Sequence, residues 1–135
     1  MASDDRQQVL AKWKTGGTAA DGYIAAPASG ATITIWDSGA DLATGNRGAR
    51  FKRLIMTSTA SHDSGALGVS FETSSDDGAN WDVIATYTDA AAGAPNIHYV
   101  SVSAPRVRVQ YTNSANVLTT WRGHLAADEY ERATQ

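Results

Sequence analysis

The sequence predicts an all-β fold: a single antiparallel β-sandwich or jelly-roll-like barrel of seven to eight strands, carrying an N-terminal arm. Three observations lead there. Gly, Ser, Thr, Ala, Asp and Val dominate, while Lys, Glu and Leu, which favour helices, are scarce. Short apolar runs are separated by turn clusters at roughly ten-residue intervals, the rhythm of sandwiches and barrels. No long helical crossover separates them, which argues against a parallel α/β sheet.

Residues 1–22 differ from the rest. Val9, Leu10 and Trp13 have helical spacing, with Ser3 or Asp4 available as a cap, and Thr15 to Gly22 has a flexible composition. A short amphipathic arm on a supple tether is one reading; a helix packed on its own domain is the other. The body spans residues 23–127. Thr32 to Trp36 alternates with period two, and Phe51 to Thr59 follows a polar loop. Leu67, Val69 and Phe71 are expected to face inward, then Trp81, Val83, Ala85 and Tyr87. Ile97 to Ser103 is apolar on both faces, as in a central strand. In Arg106 to Tyr111 the inward set is Val107, Val109 and Tyr111; Val117, Thr119, Trp121 and Leu125 close the series on one side. Pro27, Pro95 and Pro105 fall at run boundaries, where a missing N–H does least harm. The charged stretch 128–135 reads as a frayed end or a half-formed helix.

At 135 residues the chain suits one domain with an adequate core. Its 14 acidic and 11 basic side chains leave a charge of −3, against the basic face of a nucleic-acid binder. The absence of cysteine removes disulfides, thiolate nucleophiles and Cys-containing zinc sites. No apolar run approaches the roughly 20 residues that span a bilayer, so no membrane partner is expected. The polar start, Met1 to Gln8, lacks the order of a signal peptide, which predicts synthesis in a host cytoplasm without that export route.

Little in the chain points to catalysis. Glu72 is the only glutamate before residue 129, no Gly-x-Ser-x-Gly elbow selects a serine, and no glycine loop has the context of a phosphate site. His62, His98 and His124 are far apart, so no metal and no cofactor is expected. Asp76, Asp77 and Asp82 offer oxygens but lack the glutamate and ligand count of a calcium loop. The sharpest motif is Ser74 to Trp81, which fits the Ser-x-Asp-x-Gly-x-x-Trp pattern of the Asp-box. It reads as a structural turn. Asp76 caps turn amides from its start at Ser74, Gly78 takes positive φ, and Trp81 plugs the base of the hairpin.

The binding candidates are aromatic and basic. Trp81 and Trp121 share parity with apolar neighbours and read as core, whereas Trp36 is opposite in parity to Ile33 and Ile35 and reads as an exposed ring. Val9, Leu10 and Trp13 would let the arm dock on a partner. Arg47, Arg50, Lys52 and Arg53 form a basic cluster suited to an acidic surface.

The stretches Val69 to Trp81 and His98 to Asn113 resemble β-sandwich modules of tailed-phage virion proteins, which carry a similar hairpin and a strand ending near Tyr-Thr-Asn. The likeness covers about a third of the chain. Small, cysteine-free, Ala/Gly/Thr-rich sandwiches with an N-terminal arm are similar to capsid decoration, or cement, proteins. That resemblance implies a non-enzymatic virion protein whose partner is the major capsid protein, commonly a homotrimer, with the arm and the loop 41–53 as contacts. A tail or baseplate module that binds a host glycan through exposed aromatics is the alternative.

Overall fold

The computed structural model describes residues 7–39, 51–91, 93–102 and 106–129. Its strands are β1 (Gln7–Lys14), β2 (Thr32–Asp37), β3 (Phe51–Ala60), β4 (Ser64–Ser74), β5 (Asp82–Tyr87), β6 (Asn96–Ser101), β7 (Arg106–Asn113) and β8 (Trp121–Glu129). They form two four-stranded sheets, ordered β1-β8-β3-β6 and β2-β7-β4-β5, with every ladder antiparallel. This is a β-sandwich.

Strand β7 follows its sequence without deviation. Val107, Val109, Tyr111 and Asn113 are buried, while Arg106, Arg108, Gln110 and Thr112 lie on the outer face. Leu54, Met56, Val69, Phe71 and Leu125 complete the layer between the sheets, a contiguous apolar core of the kind that dominates folding free energy. At its centre Trp121 stacks on Trp13, with ring centroids 5.5 Å apart, and meets Tyr111 edge-on at 5.3 Å.

The N-terminal segment corrects the helical reading. Residues 7–14 form an edge strand paired with β8, and the Trp13 side chain is 1% exposed. The spacing of Val9, Leu10 and Trp13 is matched by a strand because a bulge lies between Val9 and Ala11. An extra residue shifts side-chain parity. Val9 therefore faces out, Leu10 packs partly against the core and Trp13 faces in. The tail also starts later than expected, since Asp128 is buried in β8 and paired with Arg53. Residues 130–135 lie outside the described residues.

Three other faces were misread for related reasons. Leu67 is exposed although Val69 and Phe71 are core, because its φ of 53° breaks the alternation in β4. Val83 is exposed because a bulge opposite Phe71 and Glu72 turns it toward the outer side. Strand β6 is an edge rather than a central strand, and Ile97 and Tyr99 remain 52% and 54% exposed. Val117 is likewise exposed; Leu118 is the buried residue there.

Candidate docking site

The outer face of the β1-β8-β3-β6 sheet carries a groove built by simple strand parity. With Trp13 pointing inward, Lys12 and Lys14 point outward. Lys12 pairs in register with His124, and His124 with Thr57; Lys14 pairs with Arg122, and Arg122 with Thr59. The chain then turns at Gly16, φ 77°, and comes back beside β1. Lys14 N–H donates to the Ile24 carbonyl at 3.2 Å and Ile24 N–H to the Lys12 carbonyl at 3.0 Å. The return passes so close that a Cβ on Gly17 would sit 2.8 Å from Tyr23 Cβ, so a side chain there would displace it. Tyr23 thus becomes one wall. The groove encloses about 540 Å³, and Val9 and Pro95 add apolar lining.

Its electrostatics set it apart. The ammonium groups of Lys12 and Lys14 lie 4.6 and 4.3 Å from the Tyr23 ring centroid, where the ring's negative face attracts cations. Among the described residues, neither lysine nor Arg122 has a carboxylate partner. Elsewhere the pattern reverses. Arg53 pairs with Asp128 at 2.8 Å, Arg106 with Asp37 at 3.0 Å and Arg108 with Glu72 at 2.7 Å. Among the described residues the lysines and arginine that lack a carboxylate partner are gathered in one place, so the groove presents positive charge without a counter-charge.

The outer face of the second sheet is internally satisfied by contrast. Arg106 and Arg108 lie 5.5 and 4.1 Å from the Trp81 ring centroid, so this indole is half-buried under guanidinium groups instead of in the core. The Ser74 to Trp81 hairpin has the expected turn chemistry. Asp76 Oδ1 accepts from Ser74 Oγ and from Asn80 N–H, each at 2.8 Å, and Gly78 has φ 91°. Hydrogen bonds from the Asn80 side chain and backbone, then from Ser74, hold the Asp76 carboxyl down at about 2. Burial works to raise the Asp37 carboxyl, but donors on Arg106 and Gly39 outweigh it and lower it.

A buried polar knot ties the two sheets together. Asp89 is fully buried, and its Oδ2 accepts from Ser58 Oγ at 2.8 Å and from the Tyr111 hydroxyl at 3.3 Å. Desolvation, and then the nearby Asp89 charge, push the Tyr111 hydroxyl upward. His98 Nε2 lies 3.7 Å from Asp89 Oδ1, and its ring stacks on Tyr87. His98 belongs to the inner side of the sheet, with Met56, and His124 to the outer side, so the two do not converge. Among the described residues no group of three His, Asp or Glu could hold a metal ion.

Of the sequence candidates, the structure brings Val9, 58% exposed, to the groove, and the buried Trp13 lines its floor. Leu10 and Trp13 are turned toward the core, and Trp36 is partly buried against it, not an exposed ring. Arg53 is engaged by Asp128 and lies 5.1 Å over Tyr99. Arg47 and Arg50 lie outside the described residues, as does the Lys52 side chain. Sequence reasoning missed Lys12, Lys14, Tyr23, Arg122 and His124. The Lys-Trp-Lys run from Lys12 to Lys14 did hold a signal, since period two around a buried Trp sends both lysines out.

No family model matches the chain, and no curated protein matches it. Among solved structures it is similar to PBSX exported protein XepA, with a TM-score of 0.65 and 13% identity over 98% of this chain and 40% of that one. At this identity the likeness is one of fold. The chain spans about two fifths of that protein's length.

Proposed function

We propose that this chain is a non-enzymatic structural protein of a phage virion, one that binds the outside of the capsid and stabilises it as a decoration protein. The observation that carries the reading is the groove: three cations without carboxylate partners among the described residues, on a sandwich where Arg53, Arg106 and Arg108 are each paired with a carboxylate. Such a surface is built to meet a partner of opposite charge. The fold shared with the phage-related XepA supports the virion setting. Weak single contacts of this kind gain strength when many copies bind a repeating lattice.

The glycan alternative loses its main support, because Trp36 packs toward the core and the Trp81 ring is covered by guanidinium groups. The test is the copy number of the protein in purified particles, by quantitative mass spectrometry. Hundreds of copies per particle are expected. A handful would move the protein to the tail, and none would remove the virion role.

A further inference from the structure

We infer that the groove takes an extended acidic polypeptide segment with carboxylates at alternate positions, lying across the face of the β1-β8-β3-β6 sheet. This names the chemistry of the partner in the reading above and rests on it.

The argument starts from spacing. Lys12 and Lys14 are two residues apart on one strand, so their side chains leave the sheet roughly 7 Å apart. Each has a neighbour in register on the adjacent strand, His124 beside Lys12 and Arg122 beside Lys14. The result is two hydrogen-bond-donating pairs in line along the strand direction, with Lys12, Lys14 and Arg122 as their cations. An extended peptide repeats its own side chains on one side at the same interval. A segment of the form Glu-x-Glu or Asp-x-Asp therefore meets both pairs at once.

Lateral strand addition at this part of β1 is closed, since Ile24 already occupies the edge beside Lys12 and Lys14. The segment must lie on the face. Val9 and the flank of Tyr23 then give apolar contact to the carboxylate stems and to the segment's backbone on that same side. Two other ligand classes fit less well. A nucleic acid needs neutralisation along many phosphates, and a chain of net charge −3 repels a polyanion overall. A glycan gains its affinity from open ring faces, and the Tyr23 ring is engaged by two ammonium groups.

The test uses the full chain and a fluorescein-labelled heptapeptide with Glu alternating with Val, read by fluorescence anisotropy at low salt. A Gln-for-Glu peptide, a heparin fragment and a single-stranded oligonucleotide are the comparison probes. The Glu peptide should bind, the Gln peptide should not, and Arg122→Glu should weaken binding about tenfold, the worth of one or two exposed charge pairs. Lys14→Gln provides a second, milder variant, and far-UV circular dichroism checks that both fold. Equal binding of Glu and Gln peptides, no effect of either variant, or tighter binding of heparin or oligonucleotide would overturn the inference. Co-sedimentation with particles separates the two levels of argument. Particle binding that ignores the Arg122 charge sinks the groove but keeps the virion role. Peptide binding as expected, with no copies on particles, does the reverse.

Discussion

Replacing Trp13 with alanine decides whether the N-terminal strand is part of the fold or an appendage to it. The indole is 1% exposed, stacks on Trp121 and backs onto the Gly123 backbone. Truncating a buried Trp to Ala typically costs about 3–5 kcal/mol. The Trp13 Nε1 has no hydrogen-bond partner, so removing it also relieves a buried polar group, which places the expected loss near about 3 kcal/mol. That is a large share of the roughly 5–15 kcal/mol that stabilises an ordinary domain. For a chain of this length it lowers Tm by roughly 10–15 °C. Urea unfolding should be followed by far-UV circular dichroism, because the substitution alters tryptophan fluorescence in its own right. A loss below about 1 kcal/mol would show that β1 is a dispensable arm and that the core assignment is wrong. Deleting residues 2–21 should unfold the protein by the same logic, whereas an arm would detach cleanly.

Three more outcomes follow from single sites. Asp89→Ala leaves the Ser58 and Tyr111 hydroxyls without their acceptor and should destabilise by about 2–5 kcal/mol in the same urea assay; a change under about 1 kcal/mol would deny the knot its structural role. Gly123→Ala drives a Cβ into the Thr57 carbonyl and the Trp13 ring, so the β3–β8 ladder should loosen, read as faster amide exchange at Thr57 and His124; unchanged exchange would contradict the close approach. Asp76 should titrate near 2 rather than 3.8 in an NMR series. Because its folded value is depressed, its support of the hairpin is complete above pH 3.8 and is lost as pH falls through about 2. A midpoint at the ordinary value would mean that the Asn80 and Ser74 hydrogen bonds are not made in solution.

The fold class was legible because strands with one buried face announce themselves by alternation, as β7 does from Arg106 to Asn113. What escaped was parity wherever a bulge or a positive φ intervened. The bulges after Val9 and opposite Phe71, and the left-handed Leu67, each reverse which side chains face water, and none leaves a local mark in composition. Sheet order was equally invisible. The apolar run Ile97 to Ser103 reads as central, yet its strand β6 lies at an edge, because the number of neighbours a strand has is decided by distant segments. The groove depends on the same non-local facts. Lys14 and Arg122 meet only because the first and last described strands are partners.

That partnership governs how the protein is made. The β2-β7-β4-β5 sheet holds all its members once β7 has been synthesised, but β1 and β3 share no ladder until β8 arrives between them. At about 5–20 residues per second, β1 waits roughly 6–20 s for its only ladder partner. Through that interval Trp13 has no Trp121 to stack on, and the inner face of β3 has no complete cover. Long-range closure of this kind also makes folding slow once the chain is free. A message that stops short of Trp121 therefore yields no smaller sandwich; it yields one sheet with its oily side open.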